Sequence, residues 1–334
     1  MGKIKAYFGK IRGYMDSQDL HGKLLFIKFL FDIAVCNILY GATISDYFFY
    51  RFYKKKRCER KTFVTARDKN RFYKAVNADY ASEERQLIQD KDKFNAAFGE
   101  YLMRKSIVSP DCGEDAFLNF LNEHGAVFVK PIRAGGGAGI LKIYADKIGD
   151  PHECWENLCK KGACVVEACI PQHPTMAAIH PESINSLRIA TLFDGENVSV
   201  LFAVLRCGVG ESFVDNHSAG GIAMLVDVET GKVCSYAGGR KATHIIRHPD
   251  TGIFFPGFEI PHWDKCLALV NEVARKVSGL HYVGWDVAIM PDGVCLIEAN
   301  PSGDFNICQE PSQKGFKPQL DTILKSFLEK QRSK

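Results

Sequence analysis

The rhythm of hydrophobic and polar positions changes near residue 126. Before it, apolar residues recur at helical spacing: in "LLFIKFLFDIAVCNILY" (24–40), in "EERQLIQDKDKFNAAFGEYLMRK" (83–105) and in "GEDAFLNFLNEHG" (113–125). Glu114 and Asp115 near the start of the last stretch, and Gly125 at its end, suit the helix dipole and a C-cap. After residue 126, β-branched residues alternate between glycine turns and predict strands, with short helices near 152–161 and 263–278. An α-rich part followed by an α+β part argues against a simple parallel βαβαβ sheet. No repeat or low-complexity tract interrupts the order.

The segment 24–40 is the one candidate for a membrane span. It is short for that role and carries Lys28, Asp32 and Asn37, so it is not expected to cross a bilayer. Lys28 and Asp32, four apart, can pair on one face of a helix whose remaining surface is apolar. That surface either packs against the rest of the protein or lies on a membrane. Just beyond, "RFYKKKRCERK" (51–61) sets seven basic residues against Glu59, interleaved with Phe52 and Tyr53. The pattern suits anionic headgroups, or a solvated face.

Composition narrows the class. A chain of 334 residues, 46% hydrophobic and 25% charged, is ordinary globular material with a well-formed core. Its net charge of +4 does not support a general nucleic-acid footprint. Twelve cysteines run from Cys36 to Cys308 without a CxxC pair or a preceding cleavable leader, which favours a reducing cytoplasm. The even spacing of Cys154, Cys159, Cys164 and Cys169 is wrong for a zinc knuckle, and they read as buried thiols on a helix and a strand.

The candidate chemistry begins at "VFVKPIRAGGGAGILKIYADK" (127–147). A Walker loop leads straight into a helix, but here Ile140, Lys142 and Tyr144 alternate with Leu141 and Ile143, as in a strand. The stretch therefore reads as strand, glycine hairpin, strand. The backbone N–H groups around Gly135, Gly136, Gly137 and Gly139 can close over phosphates, and Lys130 adds a fixed charge. A second constellation is "YVGWDVAIMPDGVCLIEANPSG" (282–303), two strands around Pro291-Asp292-Gly293. A two-residue loop would put Asp286 opposite Ala299. A three-residue loop would pair Met290 with Val294, hence Asp286 with Glu298, with Asn300 on the same face. Two carboxylates and an amide oxygen on one face suit Mg²⁺ bridging nucleotide phosphates.

Together these pieces resemble the ATP-grasp superfamily over nearly the whole chain, most closely its sugar-transfer associated branch. The resemblance implies an α+β ATP-grasp fold, two α+β subdomains clamping ATP, with an α-helical N-terminal extension. The expected division is 1–75 for the extension, 76–170 for the N-terminal subdomain with the glycine hairpin, and 171–334 for the C-terminal subdomain with the metal site. It also implies ATP and Mg²⁺ as cofactors. By the D-K-x-x-F-N spacing of "QDKDKFNAAF", Lys91 takes the first lysine's role, with Lys93 as alternative, and Lys130 the second. In "VVEACIPQH", Glu167 would accept from the adenine amino group, with Cys169 and Ile170 contributing main chain, and Ala168 leaves the ribose contact unassigned. Asp286, Glu298 and Asn300 take the metal positions. "PESINSLRIATL" and "RCGVGESFVDNHSAGGI" resemble the branch's arginine-bearing strands and lid, which brings Arg188 and Arg206 near the γ-phosphate, with Asn216 and Lys241 as further candidates. His217 reads as a solvent-facing loop residue, and neither Cys207 nor Ser212 has the partners of a covalent nucleophile.

The implied reaction joins a carboxylate to an amine through an acylphosphate, in sugar or cell-surface polysaccharide building. The partners would be a small carboxylate and an amine, sugar-linked or free, with no nucleic acid and with residues 24–61 as the route to any peripheral membrane contact. Two rivals stand beside it: an ATP-dependent phosphotransferase, and a non-catalytic ATP-binding protein at the inner face of a membrane.

Overall fold

A computed structural model describes residues 2–77, 82–216, 219–239 and 244–332. Lys241 and His217 lie outside these residues. Among the described residues ten strands form two antiparallel sheets. In chain order they are β1 (Ser106–Ser109), β2 (Ala126–Pro131), β3 (Leu141–Tyr144), β4 (Cys164–Ala168), β5 (Leu187–Phe193), β6 (Val198–Cys207), β7 (Ile222–Val226), β8 (Gly238–Gly239), β9 (Tyr282–Ile289) and β10 (Val294–Asn300). The smaller sheet runs β1-β4-β2-β3 and the larger β10-β9-β5-β6-β7-β8.

Alternation decides what each face does. In the smaller sheet Val127, Val129, Cys164 and Val166 turn into a core with Phe117 and Leu121 of helix Glu114–His124 and Leu158 of helix Pro151–Cys159. Phe128, Lys130 and Glu167 are thereby left on the opposite face. In the larger sheet Leu187, Ile189, Ala203, Leu205, Trp285 and Val287 pack with helix Trp263–Lys276 and with Phe94 and Phe98 of helix Lys91–Leu102. The opposite face carries Ala190, Phe202, Val204 and Tyr282, covered by helices Ala66–Val76, Asn306–Ser312 and Lys317–Arg332. Arg188, Arg206 and Asp286 share that second face.

Two sequence expectations change here. The stretch 83–105 is two helices, Glu83–Gln89 and Lys91–Leu102, broken at Asp90, whose carboxylate is held by Arg133 at 2.7 and 2.8 Å and by Lys93 at 3.2 Å. Asp32 pairs not with Lys28 but with Arg60, at 2.7 and 2.9 Å, and accepts from Tyr47 Oη at 2.8 Å. A long-range bidentate partner on the buried side outcompetes the local i,i+4 one.

Helices Gly2–Ser17, Lys23–Tyr40 and Ile44–Phe49 build a separate aromatic core around Phe29, Tyr47, Phe48 and Phe52. It is fastened to the rest by Gln309, whose amide binds Val64 N (2.8 Å), Val64 O (3.1 Å) and Tyr50 Oη (2.9 Å). Next to this junction, Glu310 is 2% exposed, and burial pushes its carboxyl up to about 8 against the opposing charge of Arg51. A raised carboxyl favours folding below its unfolded value of 4.5 and loses that contribution as pH rises towards about 8. Glu310→Gln should therefore flatten the decline in melting temperature across that window, where wild type loses up to about 1.4 kcal/mol per pH unit.

Candidate active site

The free face of the smaller sheet and the second face of the larger one meet across a cleft. Its outer part is a cavity of about 710 Å³, lined among others by Lys91, Lys130, Gly135, Arg188, Asn216, Glu298 and Asn300. It continues into a narrower pocket of about 90 Å³ walled by Phe128, Ile140, Ile170, Phe213 and Ile297, with Arg206 and Asp286 at its floor. A cavity of this size with an apolar end and a charged end is suited to a nucleotide.

The roof is the glycine hairpin. β2 and β3 pair from Ala126↔Tyr144 to Val129↔Leu141, and residues 132–140 cross between them. Gly136, Gly137 and Gly139 have φ of 65°, 80° and 74°, the left-handed region that glycine enters freely. The loop is held at its base, where Lys91 Nζ donates to Ala134 O at 2.7 Å and Arg133 grips Asp90. At its tip, a Cβ on Gly137 would come within 2.8 Å of Asn216 Oδ1. Gly137→Ala is therefore expected to make the empty loop relax out of this conformation with little change in melting temperature, so that closing over a nucleotide must restore roughly 1–2 kcal/mol of backbone strain and displaced contact and binding weakens about tenfold. Equilibrium nucleotide binding checks this.

The floor is a buried charge lattice. Arg188, on β5, donates from Nε and Nη2 to the two oxygens of Asp286, the latter at 3.0 Å. Arg206, on β6, donates from Nη2 to Asp286 Oδ2 at 2.7 Å and to Ser186 Oγ at 2.6 Å. Burial would push Asp286 up, but the two guanidinium groups outweigh it and hold the carboxyl down at about 2. Across the ladder Asp286 is paired with Glu298. The pairing arises differently from the sequence argument: Val294 pairs with Ile289, not Met290, and a bulge between Leu296 and Glu298 restores the register. Glu298 makes no ion pair among the described residues, and burial first, then the charge of Asp286, push its carboxyl above the ordinary range.

These facts test the fit of a divalent cation. Glu298 offers hard oxygens to the cleft, and a carboxylate disfavoured by burial and by a like charge is a natural cation ligand; Asn300 lines the cleft beside it, its amide oxygen accepting from Ser302 N at 2.9 Å and Ser302 Oγ at 3.3 Å. Asp286 was expected as a third ligand, but its oxygens are taken by Arg188 and Arg206, so its place here is to anchor the two arginines. No cluster of three His, Cys, Asp or Glu side chains suited to a metal occurs among the described residues, which includes the cysteines around 154–169.

The adenine assignment also changes. Glu167 is 3% exposed and accepts from Asn95 Nδ2 (3.0 Å), Arg104 Nε and Nη2 (both 3.0 Å) and Lys130 Nζ (2.6 Å), which fills its lone-pair directions. Burial is again outweighed, by Lys130 and Arg104, and its carboxyl stays well below the usual range. Glu167 thus positions Lys130 rather than offering a free acceptor. Ile170 lines the pocket, whereas Cys169 turns its thiol to Ala126 O at 3.4 Å. Lys93 points to Asp90 and is half exposed, so the cleft takes Lys91 of the two.

Arg104 went unread in the sequence. Its side chain is 2% exposed, and besides Glu167 it donates to Leu296 O at 2.6 Å and Ile297 O at 3.1 Å, the carbonyls at the bulge. It joins the two sheets behind β10. Ser186 and Asp215, which frame Arg206, were likewise unassigned.

Two antiparallel sheets closing on one cleft, with a glycine hairpin above and paired carboxylates below, define an ATP-grasp fold. The chain belongs to the sugar-transfer associated ATP-grasp family, which it matches over residues 51–325. No curated protein matches it. Similar solved structures include the ATP-grasp ligase PsnB with a minimal precursor, at 16% identity and TM-score 0.46 over 76% of this chain and 63% of that one. VanG D-Ala:D-Ser ligase from Enterococcus faecalis gives 16% identity and TM-score 0.44 over 72% and 63% of the two chains. The ADP complex of N5-carboxyaminoimidazole ribonucleotide synthetase gives 11% and 0.43 over 66% and 47%. This chain spans less than two thirds of the length of each of the three.

Proposed function

We propose that the chain is an ATP-dependent ligase that activates a carboxylate as an acylphosphate and couples it to an amine. The observation that carries this reading is the convergence of Lys91, Lys130, Arg188 and Arg206 on the Asp286–Glu298 pair beneath the glycine hairpin. A carboxylate attacking a phosphate must overcome repulsion between anions, and this arrangement answers that difficulty with fixed cations in a partly dry cleft.

In this reading the adenine enters the apolar pocket by Phe128, Ile170 and Phe213, and the phosphates lie under residues 135–139. Lys130, steadied by Glu167, and Lys91, fixed to Ala134 O, hold phosphate oxygens. Arg188 and Arg206, fixed in place by Asp286, face the transferring group, with Asn216 closing from the lid and Lys241 as a further candidate. Glu298 and Asn300 would hold Mg²⁺, which when bound neutralises phosphate oxygens as a Lewis acid. In the first step the substrate carboxylate oxygen forms a bond to the γ-phosphorus and the bond to the β-bridging oxygen breaks, releasing ADP. In the second the amine attacks the acyl carbon, inorganic phosphate leaves and the amine loses a proton. The family's sugar-transfer description supports a sugar-linked substrate; surface polysaccharide building, a cytoplasmic setting and a division of the chain at residues 75 and 170 are the remaining parts of the proposal.

The test is ADP release screened over pairs of amino acids and uronic acids, with mass spectrometry of the products. A coupled amide with inorganic phosphate supports a ligase. A phosphorylated substrate with no amide would instead make the chain a phosphotransferase, and Mg·ATP binding without turnover on any pair would favour the non-catalytic reading.

A further inference from the structure

The N-terminal helices leave a row of large apolar side chains in solvent. Leu24, Ile27, Phe31 and Ile38 follow one face of helix Lys23–Tyr40 and are 85%, 61%, 74% and 74% exposed, while Phe29, Ile33 and Cys36 on the other face are buried in the aromatic core. Helix Gly2–Ser17 lies alongside, the rings of Phe8 and Phe26 being 5.9 Å apart, and it adds Ile4 and Tyr7 at 63% and 41% exposure. A contiguous patch of this kind marks an interaction surface, unlike singly scattered apolar residues.

Charge tells what covers it. Residues 1–61 carry 13 Lys and Arg against 5 Asp and Glu, a net +8, whereas the remaining 273 residues carry 30 against 34, a net −4. Lys23 and Lys28 are exposed beside the apolar row. The only negative charges on this pair of helices are Asp16 and Asp19 at the connecting turn, which His21 approaches, and Asp32, which Arg60 neutralises. A two-fold dimer through this face would bring the same lysines together without acids to meet them. No helix among the described residues is long and apolar enough to cross a membrane.

We propose that this face docks the protein on an anionic lipid bilayer, helix Lys23–Tyr40 lying in the interface with Ile27 and Phe31 among the acyl chains and the basic residues at the headgroups. Apolar burial and headgroup attraction then act together, as peripheral anchoring by amphipathic helices requires. The docking is independent of the ligase reading, since none of these residues lines the cleft.

The test is sedimentation of the full chain with vesicles of phosphatidylcholine alone and of phosphatidylcholine mixed with phosphatidylglycerol. Sedimentation with the mixed vesicles only, weakened by added salt, is expected. The double variant Ile27→Glu/Phe31→Glu, at two exposed positions, should melt as wild type and partition about tenfold less or weaker still. Hydrogen exchange on wild type supplies a readout without substitution, residues 23–40 becoming protected when mixed vesicles are added. Absence of sedimentation, equal partitioning of the double variant, unchanged exchange over 23–40, or a solution dimer that the double variant dissolves with no vesicle binding by wild type would each overturn the proposal.

Discussion

Glu298→Gln is expected to leave the protein folded, melting at or above the wild-type temperature, while ADP release falls about 100- to 1,000-fold. The two effects have opposite signs for one physical reason. Burial and the neighbouring Asp286 raise the Glu298 carboxyl above its ordinary range, so its ionised form costs folding energy unless a cation joins it. A raised carboxyl stabilises the fold below the unfolded value of 4.5 and loses that contribution as pH rises. The isosteric amide removes the cost and removes the proposed cation ligand with it. A thermal melt at pH 8 and a steady-state ADP assay on the same preparation separate the outcomes. Turnover like wild type would sink the cation assignment, and a collapsed melt would make Glu298 a structural residue.

Arg104→Met should be the most destabilising single change at the site, by about 3–5 kcal/mol, because it leaves Glu167 buried with half its compensation gone. The carbonyls of Leu296 and Ile297 lose a donor in the same step. The pH dependence has a definite sign. Glu167 is held below its ordinary value, so its contribution is present above 4.5 and lost as pH falls towards its folded value. Without Arg104 that folded value rises and the contribution shrinks at every pH above it. Adding Glu167→Gln should recover part of the loss in chemical denaturation, the coupling expected of two groups in direct contact. Additive losses in the double variant would contradict the pairing.

What the sequence could and could not reveal follows from the range of the interactions. The glycine hairpin was legible because strand alternation on either side of residues 135–139 is a local signal, and β2 pairs with β3 as that alternation demands. Helix Glu114–His124 was legible from its acidic start and Gly125 for the same reason. β1 falls between the two helical stretches without a signal of its own, since four residues, "SIVS", carry too little periodicity to stand apart. The Asp286–Glu298 pairing was reached through a three-residue turn that does not form. The ladder next to the turn is one residue out of that register, and the bulge at Ile297, a backbone device without a residue signature here, brings it back. Arg104 was invisible because its partners sit 63 and 192 residues away along the chain. Arg188 and Arg206 were placed near a phosphate by family likeness, while their anchoring by Asp286 is a property of three strands lying side by side, β6-β5-β9, and of no single motif.

The proposed ligase chemistry requires the cleft between the two sheets to take up a magnesium nucleotide. Titration calorimetry of the full chain with ATP, with and without Mg²⁺, tests this most directly. One nucleotide per chain, bound more tightly with Mg²⁺ and at least about tenfold more weakly by Lys91→Met, is the predicted result. No heat of binding from a folded chain, or uptake indifferent to both Mg²⁺ and Lys91, would contradict it.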